Sequence, residues 1–129
     1  MNPAFTLDST YIHLRPDESA LAMEGGAKFW QGISERRDLE QGRLMGCTDQ
    51  KADWSHWERH PAGDEILTLL SGEMVIVLQT PAGEQRATIG PGQTFIVPKG
   101  LWHRGIVKAP GRLMFVTPGA GTEHKPVRG

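Results

Sequence analysis

The chain lacks several features that mark common classes of protein. Cys47 is the only cysteine, so no internal disulfide can form, as is typical of proteins from a reducing cytosol. Lys and Arg number 14 against 15 Asp and Glu, and no block of like charges suggests a nucleic-acid binder. Apolar runs such as residues 74–78 are far shorter than the ~20 residues of a membrane span. These absences predict a cytoplasmic protein that binds neither nucleic acid nor membrane.

Motifs of several enzyme classes are missing too. There is no G-x-S-x-G sequence and no cysteine-nucleophile motif, and no glycine-rich phosphate loop follows a strand and opens a helix. Residues 1–25 have no basic start followed by an apolar stretch, so we expect no secretory signal. Nucleophilic hydrolysis and nucleotide binding by these routes are therefore disfavoured.

Glycine and proline are abundant instead. The 129 residues include 16 Gly and 9 Pro, a length typical of one domain. These residues fall between short apolar runs, as turns between strands do. From Trp54 onward such runs recur every ~8–12 residues, a spacing typical of a β-sandwich or barrel. The sequence therefore predicts an all-β fold with little helix.

The strand pattern is clearer in the second half of the chain than in the first. We predict strands over 10–14, 65–70 and 74–79, two more within 83–107, and a last strand over 113–118. Residues 17–23 are expected to form a helical turn or two, stopped by a glycine pair. Short strands are expected within 28–34 and 42–48.

One charged cluster stands beside this apolar pattern. Trp54, His56, Glu58 and His60 alternate, so one face of an extended strand presents all four. The turn over residues 61–64 then returns the chain at Glu65.

A second histidine, His103, lies near the start of a distant predicted strand. Two imidazoles and one or two carboxylates converging inside a barrel suit Fe, Mn, Zn or Ni. Alternatively, these residues form solvated ion pairs with Arg59 or Arg104 at a strand end.

The spacings resemble the two signatures of the cupin superfamily of small β-barrels. The first signature is G-x5-H-x-H-x3-4-E-x6-G, matched by His60, Glu65 and Gly72. The second is G-x5-P-x-G-x2-H-x3-N, and the residues that match it are Gly92, Pro98, Gly100 and His103. Two departures occur, because Glu58 stands where the first His is expected and Val107 where the Asn is expected.

The resemblance to a small single-domain cupin implies a metal site. Its ligands would be Glu58, His60, Glu65 and His103, with His56 as an alternative to Glu58. The metal would be one divalent ion of Fe, Mn, Ni or Zn, and no catalytic residue is assigned. The candidates for lining the pocket are Trp54, Trp102 and His124. His124 reaches the site only if the tail folds over the barrel mouth, and is otherwise a solvated terminal residue.

The resemblance also implies an antiparallel double-stranded β-helix, or jelly-roll barrel, over residues 51–118. Residues 1–50 would be an extension whose short strands pack on the barrel or on a dimer partner, and 119–129 a C-terminal tail. We expect a homodimer that binds a small oxygenated organic substrate, with dioxygenase-, isomerase- or lyase-type chemistry. The alternative is a non-catalytic cupin that binds or senses a small molecule with a degenerate or absent metal site.

Overall fold

The structure, a computed structural model, describes residues 3–128, and its regular elements are mainly antiparallel strands. The strands are β1 (Thr10–Leu14), β2 (Ala20–Glu24), β3 (Arg43–Gln50), β4 (His56–Arg59), β5 (Glu65–Leu69), β6 (Glu73–Thr80), β7 (Gly83–Ile89), β8 (Thr94–Val97), β9 (His103–Ala109), β10 (Gly111–Pro118) and β11 (Glu123–Pro126). The helix α1 (Ala27–Gln31) and two 3-10 turns (Ile33–Glu35 and Arg37–Glu40) separate β2 from β3. The predicted all-β jelly-roll class is confirmed.

The strands form two sheets. The six-stranded sheet has the order β2-β1-β3-β10-β5-β8, and the five-stranded sheet has the order β11-β4-β9-β6-β7. Buried apolar side chains from both sheets, such as Leu67 and Leu113 from one and Ile76 and Leu78 from the other, form a single core cluster. The interior between the sheets is therefore apolar over most of its length.

Strand β6 is buried on both faces. Ile76 and Leu78 point into the core, while Val75 and Val77 belong to a second cluster with Trp57 on the opposite face. Alternation of side chains along a strand requires this division. The outer tryptophan cluster, which we define as Trp57, Val75, Val77 and Trp102, thus covers the outside of the five-stranded sheet.

Residues 10–50 contribute three strands to the six-stranded sheet. The predicted boundary at residue 50 falls at the end of β3, a strand that pairs with both β1 and β10.

Among residues 3–128, no helix has the length and apolarity needed to cross a membrane.

Two predictions for the first half of the chain are wrong. Residues 17–23 were expected to be helical, but Asp17 accepts hydrogen bonds from the Ser19 backbone and hydroxyl, forming a turn between β1 and β2. Residues 28–34 were expected to be a strand, but α1 and a 3-10 turn occupy them, with Phe29 buried against Tyr11. Pairing with β1 and packing on the core outweigh the weak local preferences of these segments.

The strand count of the second half also differs from the prediction. Residues 83–107 hold three strands or parts of them (β7, β8 and the start of β9) rather than two. The strand over 111–118 is not the last, because β11 follows it and pairs with β4. The short polar sequence of β11 carries no hydrophobic alternation, so its pairing as a strand could not be predicted from its own residues.

Gly46 in β3 provides a test of core packing. A Cβ atom at this position would lie 2.6 Å from Tyr11 Cδ1 and 2.9 Å from Phe115 Cζ. We expect Gly46→Ala to lower the free energy of unfolding by about 1–3 kcal/mol, because the crowded rings cannot move without strain. Urea denaturation measures the effect, with Gly90→Ala as the control, where the new Cβ meets nothing closer than 3.6 Å. Equal stability of the two variants would contradict the packing described.

Candidate metal centre

Four ionisable side chains converge at one end of the barrel. Glu58 lies in β4, His60 follows that strand, Glu65 begins β5 and His103 begins β9. One potential ligand atom from each lies within 4.8 Å of the others. The register explains part of this arrangement, because Glu58 pairs directly with His103 across β4 and β9. Glu65 reaches the cluster from the opposite sheet, so both sheets contribute.

Both imidazoles direct Nε2 at the carboxylates. His60 Nε2 lies 3.2 Å from Glu58 Oε1 and 3.2 Å from Glu65 Oε2. His103 Nε2 lies 2.9 Å from Glu65 Oε1 and 3.5 Å from Glu58 Oε1. The four groups therefore surround a common point, as ligands of one ion do.

The other nitrogen of each ring has its own partner. His103 Nδ1 lies 3.2 Å from the carbonyl oxygen of Leu101. Because a carbonyl only accepts, Nδ1 carries the proton, and the neutral ring then offers the Nε2 lone pair to a metal. His60 Nδ1 lies 3.0 Å from Thr122 Oγ1, which can take either role. Both rings are thus held with Nε2 inward.

Burial and charge oppose each other in the cluster. Burial alone would lower the pKa of His60, but hydrogen bonds and charge from Glu58 and Glu65 outweigh it and raise the pKa to about 9. The same balance raises the pKa of His103 to about 10. Without metal, the rings are therefore held as imidazolium ions beside two carboxylates.

The two carboxyl groups are affected in the opposite sense. Burial acts to raise the pKa of Glu65, but hydrogen bonds from His103 and His60 prevail and hold it below its usual value. Burial also acts to raise the pKa of Glu58, but hydrogen bonds from His103, His124 and His60 hold it well below its usual value. Both groups are therefore carboxylates at neutral pH, available as oxygen ligands.

The chemistry of the donor set fits a divalent transition metal. Two imidazole nitrogens and two carboxylate oxygens suit Fe, Mn, Ni or Zn, whereas Mg²⁺ and Ca²⁺ take oxygen ligands almost exclusively. Two carboxylates would also balance the charge of a dication in this buried place. The four residues could therefore bind one such ion in place of the protons they now share.

The cluster opens onto a large cavity. Its volume is about 960 Å³, and Glu58, His60 and Glu65 form part of its wall. Apolar residues of the six-stranded sheet, among them Leu67 and Leu113, line the interior beside them. Cavities of ~300–1,000 Å³ hold organic ligands of small to moderate size. A ligand in this space would lie directly against the four ionisable groups.

Comparison with protein-family models matches residues 45–118 to the family described as Cupin domain. The chain belongs to the cupin family. The matched segment contains all four residues of the cluster. Comparison with curated proteins found no match.

Solved structures agree on the fold. A cupin-2 domain protein of Shewanella frigidimarina is 21% identical, with a TM-score of 0.51, covering 59% of this chain and 70% of that one. Oxalate oxidase is 19% identical, with a TM-score of 0.52, covering 62% and 44%. Peruvianin-I, a cysteine peptidase from Thevetia peruviana latex, is 16% identical, with a TM-score of 0.56, covering 67% and 58%. At these identities the likeness shows the fold alone. The present chain covers less than two thirds of oxalate oxidase and of Peruvianin-I.

The structure shows which of the two remaining histidine candidates contacts the cluster. His56, the alternative ligand, is exposed at the cavity mouth, with its Nδ1 2.9 Å from Ser55 Oγ. Glu58, rather than His56, belongs to the four-residue cluster. His124 is neither free nor in an unpaired tail, because β11 places its Nε2 3.5 Å from Glu58 Oε2. The prediction that His124 is a solvated terminal residue beyond the last strand is therefore corrected, because β11 (Glu123–Pro126) holds it beside the cluster.

The two candidate tryptophans lie on opposite sides of the sheet. Trp54 lines the cavity, where it packs edge-on to His103 and donates from Nε1 to Gln50 Oε1 at 2.7 Å. Trp102 packs in the outer tryptophan cluster, with Arg59 and Lys125 over its ring. The prediction that Trp102 lines the pocket is wrong, because alternation turns this side chain away from its neighbour His103.

Thr117 and Thr122 are contacts of the cluster that sequence reasoning missed. Thr117 Oγ1 donates to Glu65 Oε2 at 2.5 Å. Its alternation with Leu113 and Phe115 along β10 could have placed it on the inner face. No local signal marks Thr122, which reaches His60 from the turn before β11.

Thr117 is expected to hold Glu65 in position for a metal. Thr117→Val keeps the side-chain shape and removes the hydroxyl, so we expect about a 10-fold loss of metal affinity, at the lower end of the range for such supporting residues. Competition with a chromogenic chelator measures it. Thr68→Val is the matched control, because Thr68 bonds Thr94 on an exposed face. Equal losses in both variants would argue against this role.

Proposed function

We propose that this cupin binds one divalent transition metal through Glu58, His60, Glu65 and His103 and acts on a small oxygenated organic substrate. The observation that carries the proposal is the convergence of two buried Nε2 atoms and two carboxylates beside a large cavity. Dioxygenase-, isomerase- and lyase-type reactions are all compatible with this arrangement. Fe, Mn, Ni and Zn are the candidate ions.

The chemistry divides between the metal and the chain. When bound, the metal supplies a Lewis acid for a substrate oxygen, or redox chemistry if it is iron. The chain's own residues fix the geometry of the ligands. Thr117 orients Glu65, Thr122 and Leu101 orient the two imidazoles, and Trp54 forms an aromatic wall beside His103.

Elemental mass spectrometry of the purified protein tests the proposal. The protein is prepared without chelator and without a nickel column, and metal per chain is measured before and after anaerobic reconstitution with each candidate ion. We expect about one equivalent of one ion, lost in His60→Ala. No bound metal under any of these conditions would refute a metal-dependent function.

The alternative function is non-catalytic binding or sensing of a small molecule. The departure from the family signature at Glu58 favours it, since a site that has drifted would change its ligands first. A metal-loaded protein that binds organic ligands but turns over none of them in a substrate screen would support this reading. Metal retained in a Glu58→Ala, His60→Ala double variant would instead show that the ligands are assigned wrongly.

We further propose a homodimer in the cytoplasm. The dimer is supported by the outer face of the six-stranded sheet, where Ile96 of the edge strand β8 is 57% exposed. The cytoplasmic location is supported by the single, free Cys47. Gel filtration with light scattering measures the assembly, and a monomer mass would end the dimer proposal.

A further inference from the structure

The charge lining the cavity is acidic. Among the described residues of the wall, the carboxylates are Glu40, Asp49, Asp53, Glu58 and Glu65, whereas the cations other than histidine are Arg36 and Lys51. A bound dication would offset the two carboxylates of the cluster. The remaining wall would still hold more carboxylates than free cations.

Neither cation is placed to receive an anionic ligand inside the cavity. The Arg36 guanidinium is held by Asp38, with Nε 3.0 Å from Oδ1 and Nη2 2.9 Å from Oδ2. Lys51 is exposed in the loop after β3, with its ammonium free to stay in water. Apart from a metal ion whose charge Glu58 and Glu65 already balance, an anion deep in the cavity would therefore lose its hydration without gaining a paired cation, which is costly.

The interior wall is apolar. The described side chains on the side of the six-stranded sheet include Leu44, Leu67, Leu113 and Phe115, with Ile33 beside them from the 3-10 turn. Leu67, Leu113 and Phe115 also belong to the core, so their positions are set by the fold. An apolar ligand body can displace water from this wall with a gain in free energy.

We propose that the occupant of this cavity is an uncharged, largely apolar organic molecule, aromatic or branched aliphatic, that turns one hydroxyl or carbonyl toward the four-residue cluster. The role given to the oxygen of this ligand rests on the proposed function. The apolar character of the rest of the ligand is inferred from the cavity wall alone. Small dicarboxylates and phosphorylated compounds are excluded as occupants, because the wall cations other than histidine are Arg36, which is paired with Asp38, and the exposed Lys51, and the carboxylates of the wall oppose their charge.

A matched pair of probes tests the class. 2-Naphthalenemethanol and 2-naphthoate share one ring system and differ in charge at the oxygen-bearing end. Isothermal titration calorimetry on the zinc-loaded protein, at fixed ionic strength, compares their dissociation constants. We expect the alcohol to bind at least ~10-fold more tightly. Equal or tighter binding of the carboxylate, or no binding of either probe at its solubility limit, would overturn the proposal.

Two serine variants locate the binding site. Ile33→Ser changes the cavity wall at a partly buried position in a short 3-10 turn, and because this side chain packs against the core cluster, circular dichroism checks that the variant is folded. Ile96→Ser makes the same change on exposed β8, away from this cavity. We expect the first variant to weaken binding of the alcohol about 3- to 10-fold and the second to leave it unchanged. Equal effects would place the alcohol outside the cavity and overturn the proposal.

The same titration on metal-free protein separates this inference from the proposed function. A preference for the alcohol in a protein that takes up no metal supports the substrate class while refuting the metal function. A preference for the carboxylate in a protein that binds zinc through the four residues refutes the substrate class while supporting the metal function. The two proposals therefore fail independently.

Discussion

Replacing His103 with alanine is expected to lower the affinity for the metal by more than ~100-fold. Loss of a residue that merely orients a ligand costs ~10–100-fold, and His103 Nε2 itself faces both carboxylates of the cluster. Its ring is fully buried, so no water can readily take its place without rearrangement. Competition with a chelator of known affinity measures the change for zinc and iron.

His56→Ala is the matched control for this experiment. His56 lies in β4 near Glu58, but it is exposed and bonded to Ser55. We expect its loss to leave metal affinity unchanged within about 3-fold. Because His103 is buried, His103→Gln and circular dichroism of each variant distinguish loss of a ligand from loss of the fold. Full metal affinity in a folded His103→Ala protein would show that this histidine is no ligand.

The apparent metal affinity is expected to rise steeply with pH. In the metal-free protein the pKa of His60 is about 9 and that of His103 about 10, so both rings are protonated at pH 7. A metal binds only neutral imidazole, and binding must therefore displace two protons. Affinity should rise about 100-fold per pH unit up to pH ~9, about 10-fold per unit to pH ~10, and then level off.

Calorimetry at pH 7.5 in buffers of different ionisation enthalpy counts the released protons directly. We expect about two protons per metal ion. His56→Ala should release the same number, because His56 is outside the cluster. No proton release, together with an affinity that does not change between pH 7 and pH 9, would mean that the two rings are already neutral in the metal-free protein.

The position of the cluster could be predicted because the sequence resembles the two cupin signatures, each of which has short fixed intervals. Gly92, Pro98 and Gly100 precede His103 at the intervals of a known signature, and Gly72 follows Glu65 in the same way. Positive φ angles of 85° at Gly72, 81° at Gly92 and 77° at Gly100 explain these glycines, since other residues rarely adopt this conformation. The turns that aim the cluster are thus encoded locally.

The role of Glu58 was harder to decide from sequence. Alternation along the chain places His56, Glu58 and His60 on one face and does not choose among them. The choice follows from pairing, because Glu58 lies opposite His103 in the sheet, whereas His56 lies at the far end of β4 opposite Pro126. Distance along a strand of about 3.3 Å per residue then separates His56 from the cluster.

The sequence by itself determined the all-β class, most strands of the second half, and three residues of the cluster, namely His60, Glu65 and His103, while Glu58 had His56 as an alternative. Only the tertiary structure decided that β2 is a strand, that Trp102 faces outward, and that Thr117 and β11 complete the surroundings of the cluster. The division has a physical reason. Turns and alternation are properties of neighbouring residues, whereas the pairing of β11 with β4 joins residues more than 60 positions apart. Such pairing is stabilised by contacts that exist only once the chain has folded.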